Sequence, residues 1–228
     1  MYWEEDEKTD EITTGDDVVD LVFALNGRCL PVDHIFALSQ AVQEILPWLS
    51  DEPEAGLHTI NVAASGNGWI RPEDPNALLY LSKRTRLELR VPAHRVKDAK
   101  KLEGAKLDVA GNSLEIKMAT ERSLKKLTTL FSRALATDQD IASEEQVLDW
   151  IYGQLKALDI KPRKMMCGTE GFIETPETRI RTRSLMIADL EVEESLRLQQ
   201  KGLGPYRYLG CGLFIPHKGI DDIRKKKD

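Results

Sequence analysis

The chain has 228 residues, of which 41% are hydrophobic and 31% charged, and its formal net charge is -6. This composition fits a core-forming protein of one large or two small domains and excludes an intrinsically disordered chain. No apolar run nears the roughly 20 residues that cross a bilayer, and the acidic start MYWEEDEKTDEITTGDD lacks the apolar core of a secretory leader, so a cytoplasmic protein without membrane contact is expected.

Three cysteines, Cys29, Cys167 and Cys211, are far apart and odd in number, which excludes a disulfide framework and a CxxC zinc ribbon. No His/Cys/Asp cluster shows ligand spacing, so neither a metal nor a cofactor is expected. Charge is unevenly spread. Residues 1–60 carry fourteen Asp/Glu against two Lys/Arg, and residues 61–228 carry twenty-four against thirty. An anion senses the nearest patch within about 10 Å at ordinary salt, so the larger segment permits an anionic partner despite the negative total.

In chain order, VVDLVFAL (18–25) reads as a buried strand ended by Asn26-Gly27. Pro31 and Asp33 then open a helix with Ile35, Leu38, Val42 and Ile45 on one face, and Asp33 as N-cap would place His34 in the first turn. LHTINVA (57–63) reads as a strand. TRLELRVP (85–92) alternates, with Leu87, Leu89 and Val91 inward and Arg86, Glu88 and Arg90 outward. A short basic helix (94–102) and a strand pair (107–117) around Gly111-Asn112 complete the unit.

The same order then repeats. SLKKLTTLFSRAL (123–135) reads as a strand, and Ser143 with Gln146 forms a capping box before a helix carrying Val147, Leu148, Ile151, Leu155 and Leu158. Strands at 161–168 and 178–190, joined through Gly171–Pro176, precede a helix (192–200), a glycine-rich loop and a last strand (212–217). Two βαββαβ units predict an α+β chain of tandem ferredoxin-like domains. The expected boundaries are an acidic arm (1–16), a first domain (17–118), a second domain (119–220) and a charged tail (221–228).

GLGPYRYLGCG (202–212) is the strongest local signal. Gly202, Gly204, Gly210 and Gly212 permit positive φ and could gather backbone N–H groups around an anion. Arg207 adds charge, and Tyr206 and Tyr208 offer faces for bases. Arg179, Arg181 and Arg183 recur at period two, so one strand face could follow a phosphate backbone. Arg95, Lys97, Lys100 and Lys101 on the basic helix, and Lys125, Lys126 and Arg133 on the following strand, add positive charge. Trp69 and Arg71 could stack on a base, and Trp69 could equally fill a core.

Three segments, LPVDHIFALSQAV (30–42), LHTINVAASGNGWIRP (57–72) with LYLSKRTRLELRVP (79–92), and GLGPYRYLGCGLFIPHKGI (202–220), resemble the CRISPR-associated endoribonucleases of the RAMP superfamily that cut precursor CRISPR RNA within its repeats, the Myxan subtype in particular. The resemblance implies metal-free attack by a ribose 2′-OH, giving 2′,3′-cyclic phosphate and 5′-OH ends. It implies His34 as the general base, a residue type that titrates near neutrality. His217 is the second choice of base, with His94 and His58 ranked lower. Arg28 and Lys201 or Arg207 are the candidate cationic stabilisers. Ser39 stands where relatives can have tyrosine, about 140° around the helix from His34, too far for direct pairing.

The implied partner is CRISPR repeat RNA, with other Cas subunits of a type I effector complex as further candidates. A non-catalytic RAMP subunit that holds guide RNA is the alternative, and His34 discriminates the two.

Overall fold

The computed structural model describes residues 17–61, 74, 77–137 and 143–217. The acidic arm, Trp69, Arg71 and the charged tail lie outside them.

The first unit is built on β1 (Val18–Asn26), whose alternation sends Val19, Leu21 and Phe23 into a core with Leu87, Leu89 and Val91 of β5 (Arg86–Pro92). Each such side chain contributes about 1.5–3 kcal/mol on burial. Between them come β2 (Cys29–Pro31), α1 (Ile35–Ile45), a 3-10 turn (Pro47–Ser50), β3 (Gly56–Leu57) and β4 (Leu78–Tyr80). The basic segment after β5 forms a 3-10 turn (Ala93–Arg95), a single turn of helix, α2 (Val96–Ala99), and another 3-10 turn (Lys100–Leu102). β6 (Lys106–Val109) and β7 (Asn112–Ser123) follow, joined by Ala110 and Gly111, both at positive φ as a type I′ hairpin requires.

The sheet order is β3-β5-β1-β7-β6, with every pairing antiparallel. The second unit holds β8 (Leu130–Ala136), α3 (Glu144–Ala157), β9 (Lys164–Glu174), β10 (Arg179–Ala188), α4 (Val192–Lys201), a 3-10 turn (Arg207–Leu209) and β11 (Phe214–Pro216), with sheet order β11-β8-β10-β9. In both sheets the third strand of the βαββαβ unit lies between the first and the second, and the fourth flanks the first. This arrangement is the ferredoxin-like one, occurring twice.

The two units share a core. Leu209, Cys211, Ile173, Ile180 and Ala136 from the second half pack into the cluster formed by the first. Burial pushes the Cys211 thiol up to about 12, so it behaves as a small apolar side chain.

Several expectations need correction. Asp33 does not cap α1; His34 is the N-cap residue, in a helical conformation without a side-chain cap bond. Of the strand expected over 57–63, residues 62 and 63 lie outside the described residues. Among those described the pairing is at Gly56 and Leu57, His58 N–H still donates to the Glu88 carbonyl at 3.0 Å, and the chain then passes Gly210, whose added Cβ would sit 2.8 Å from Thr59 Oγ1. β8 begins at Leu130, so Lys125 and Lys126 ride on the connection before it. β7 continues to Ser123, so the first sheet claims residues beyond 118. β9 runs through Gly171 to Glu174, and the turn falls at Thr175–Thr178, where the Thr175 hydroxyl accepts from Thr178 N–H at 3.0 Å. The two-stranded sheet of β2 and β4 has no counterpart in the sequence pattern. The Ser143–Gln146 capping box is present with both reciprocal bonds.

Candidate active site and RNA interface

Helix α1 and the glycine-rich loop are docked on each other. Ser39, fully buried in the middle of α1, donates to the carbonyl of Tyr208 at 2.7 Å, and Gln43 Nε2 donates to Ser39 Oγ at 2.9 Å. Ser39 is therefore the anchor that holds the loop against the helix carrying His34.

His34 is 1% exposed, and its Nδ1 lies 2.9 Å from the carbonyl oxygen of Pro31. That carbonyl accepts only, so Nδ1 carries the proton and, in the neutral ring, Nε2 keeps the lone pair. The local turn into α1 thus sets the tautomer of this ring.

The loop differs from an open anion cradle. Its amides at Gly202, Leu203, Leu209, Gly210, Cys211 and Gly212 donate to backbone carbonyls, among them Gly212 N–H to Ala134 at 2.7 Å. Gly202 and Gly212 are demanded by close approach: a Cβ on Gly202 would lie 1.9 Å from Arg207 Nη1, and one on Gly212 would lie 1.8 Å from the Leu203 carbonyl oxygen.

Arg207, expected among the RNA contacts, turns inward. It is 8% exposed and donates to the carbonyls of Ala55, Glu54 and Gln200 at 3.0–3.1 Å. Desolvation, helped by the Arg90 guanidinium, lowers its pKa to about 9 against the pull of Glu54 and Asp20. It is a clamp between the two units. Tyr206 stays half-exposed on the rim, edge-on to Tyr208 with ring centroids 6.3 Å apart.

The cationic candidates are dispersed. Arg28 is exposed at the β1–β2 turn, and Lys201 pairs with Glu54 at 2.5 Å at the far end of α4. His217 follows β11, exposed beside Phe131 at 5.9 Å. Its amide donates to the carbonyl of Thr129 at 3.0 Å. His94 Nε2 lies 3.2 Å from Glu52 on the surface.

Arg179, Arg181 and Arg183 do share one side of β10, opposite Ile180 and Thr182, until the register shifts beyond Arg183. They are held by β9 carboxylates, Arg179 by Glu174 at 2.8 Å and the other two by Glu170 at 2.7 and 3.1 Å. Hydrogen bonds from Arg181 lead the causes that lower the pKa of Glu170 against partial desolvation. Three guanidiniums against two carboxylates leave this face only weakly positive.

A stronger positive feature is hidden from the sequence. A cleft of about 290 Å³ is lined by His58, Arg84, Arg86, Glu88, Arg133 and Gly210, so it joins the edge of the first sheet, β8 and the glycine loop. Burial lowers the pKa of Arg133, and Glu88 opposes that shift. The alternation of β5 marks Arg86 as outward, but only the packing of the second unit brings Arg133 into the same cleft. Among the described residues no three His, Cys, Asp or Glu side chains gather at metal-ligand distances. No helix among them is long and apolar enough to cross a membrane.

Twin ferredoxin-like sheets closed by a C-terminal glycine-rich loop define a class of protein, and comparison with known proteins places the chain within it. The Cas6 CRISPR family matches residues 19–219, and the chain belongs to that family. A CRISPR-associated endonuclease Cas6 of Myxococcus xanthus (strain DK1622) is 28% identical over 198 residues, covering 87% of this chain and 81% of that protein. Among solved structures, a CRISPR-associated protein Cas6 superposes with a TM-score of 0.61 at 11% identity, covering 88% of this chain and all of the other. A Cas6-related protein of Pyrococcus furiosus gives 0.58 at 13% identity, covering 86% of this chain and 97% of its own. These likenesses establish the shared fold.

Proposed function

We propose that the protein is an endoribonuclease that cuts CRISPR precursor RNA within its repeats. Family membership supports the class of activity, since the Myxococcus xanthus relative is a CRISPR-associated endonuclease. The observation that carries the chemistry is the 2.9 Å contact of His34 Nδ1 with the Pro31 carbonyl, which puts the ring proton on Nδ1 and the lone pair of the neutral ring on Nε2.

In this mechanism His34 Nε2 takes the proton of the ribose 2′-OH. The freed oxygen attacks the adjacent phosphorus in line, and the bond to the 5′-oxygen breaks as an acid protonates that oxygen. The products carry a 2′,3′-cyclic phosphate and a 5′-OH, and no metal takes part. Because His34 is 1% exposed, its Nε2 edge has to be uncovered for it to reach the ribose. Arg28 and Lys201 are the candidates to stabilise the phosphorane, and His217 is the alternative base. The cleft of Arg84, Arg86 and Arg133 and the arginine row of β10 supply phosphate contacts, and other Cas subunits of a type I effector complex are the further partners.

The test is incubation with the host's own repeat RNA. Cleavage should persist in excess EDTA and stop when a single 2′-deoxy nucleotide precedes the cut, with binding kept. Activity lost in EDTA and restored by Mg²⁺ would overturn the mechanism. The burial of His34 favours one second reading, a non-cutting RAMP subunit; wild-type protein that binds the repeat tightly and leaves it whole would establish it.

A further inference from the structure

A second depression, about 350 Å³ in volume, opens between β10, α3 and the other side of the glycine-rich loop, where Tyr206 rather than Gly210 forms the rim. Its walls are Trp150, Tyr206, Ala136 and Ile180, with Arg181 and Thr137 as the principal polar groups. That volume lies within the range of small-ligand pockets, and a flat aromatic group fits its lining.

Two independent features mark it as a binding site. Thr137 is 8% exposed, and its hydroxyl has no hydrogen-bond partner among the described residues, although its amide donates to the Arg181 carbonyl at 3.1 Å. A buried hydroxyl is rarely left unpaired, and this one offers both a donor and an acceptor to whatever enters. Tyr206 has φ 65, a left-handed conformation that a bulky residue seldom adopts, and its carbonyl is fixed by the amides of Leu209 and Cys211. The turn thereby holds a half-exposed aromatic ring at the mouth of the depression.

We infer that this depression receives a single unpaired nucleobase of the bound RNA, stacked against Tyr206 and Trp150 with its polar edge on the Thr137 hydroxyl. Arg181 at the wall suits the phosphate of the same nucleotide. The inference rests on the proposed RNA substrate and adds a subsite that reads one nucleotide away from the reacting bond.

The experiment uses repeat RNAs carrying one abasic nucleotide at each unpaired position in turn, titrated against wild-type, Thr137→Val and Tyr206→Ala proteins. Quenching of tryptophan fluorescence by each of the four nucleoside 5′-monophosphates is measured in parallel. One abasic position should weaken wild-type binding roughly tenfold, an ordinary worth for a base stacked on an aromatic ring. That penalty should largely vanish in both variants. Thr137→Val is nearly isosteric, so it keeps the test valid if Tyr206→Ala fails to fold. Repeat RNA that binds with no position-specific penalty coupled to Thr137 or Tyr206 overturns the subsite and leaves the proposed function standing. Mononucleotide quenching lost in Thr137→Val, without repeat binding, supports the subsite and overturns the RNA-repeat reading. Neither binding nor quenching overturns both.

Discussion

Asp20 and Arg90, directly opposite each other on β1 and β5, form a two-pronged ion pair at 2.8 and 3.0 Å on the sheet face turned away from the first unit's own core. The remaining guanidinium nitrogen of Arg90, Nη1, donates to the carbonyls of Gln199 and Phe214 in the second unit at 2.8 and 2.9 Å. His58 Nε2 stands 3.8 Å from the same carboxylate. A residue that alternation places outward is therefore fully buried, because the other half of the molecule supplies its acceptors.

Removing one partner of this pair should be costly. Asp20→Asn or Arg90→Met should each destabilise the protein by about 3–5 kcal/mol, since a buried charge is left uncompensated. An Asp20→Leu/Arg90→Met double variant should recover part of the loss. Thermal unfolding of the four proteins measures this, and equal stability of wild type and Asp20→Asn would refute it.

The same pair sets an acid limit. Desolvation works to raise the Asp20 pKa, but the attraction and hydrogen bonds of Arg90, with His58, outweigh it and hold the carboxyl far below its ordinary value of 3.8. A depressed native pKa gives stability that is full above the unfolded value and lost as pH falls below it. Urea unfolding of wild type should therefore weaken below about pH 4, and the Asp20→Asn profile should be flatter there. Identical slopes in the two proteins would exclude Asp20 as a source of acid lability.

His34→Ala should cut the single-turnover cleavage rate by about a hundredfold or more while repeat affinity changes little. Gel-shift and cleavage measurements on the same RNA separate the two effects. Near-normal cleavage in His34→Ala, with loss in His217→Ala, would move the base to the second histidine.

Three glycine variants should rank by what the new Cβ meets. Gly212→Ala strikes a backbone carbonyl at 1.8 Å and should be the most damaging, and Gly202→Ala, which meets the end of the Arg207 side chain at 1.9 Å and the Gly212 carbonyl at 2.5 Å, should follow. Gly111→Ala meets nothing within 4 Å, so it carries only the cost of left-handed backbone, about 1–2 kcal/mol. Melting temperatures check the order.

Replacing Arg179, Arg181 and Arg183 with alanine should weaken RNA binding and reduce its salt slope by roughly 0.7 for each phosphate that no longer meets an arginine. Glu170→Gln, which frees two of these arginines from an opposing charge, should act in the opposite sense. A triple variant with an unchanged slope would assign the phosphate path to the Arg84, Arg86 and Arg133 cleft alone.

Much of the architecture is legible in the sequence because it is local. The alternation of β5, the capping box of α3 and the repeated βαββαβ order depend on residues close along the chain. What the sequence hides is the meeting of the two halves. Arg90 reads as a surface charge until Gln199 and Phe214 cover it, and Arg207 reads as an RNA ligand until its guanidinium is seen on the carbonyls of Glu54 and Ala55. Likewise, Ser39 gives no sign in sequence that its hydroxyl would hold a loop 169 positions away. His34 is singled out by resemblance, whereas its tautomer follows from the Pro31 carbonyl.

Leu209 and Cys211 complete the apolar interior of the first unit, and the acceptors that Arg90 takes beyond Asp20 are Gln199 and Phe214, more than a hundred positions further along the chain. On the ribosome, the amino-terminal half would emerge with a hole in its interior and a guanidinium short of acceptors. It could reach its final packing only after residue 214 has cleared the exit tunnel. Synthesis and completion of the fold are thereby coupled, and a truncated product lacking the last strand would be left partly assembled and exposed to proteases.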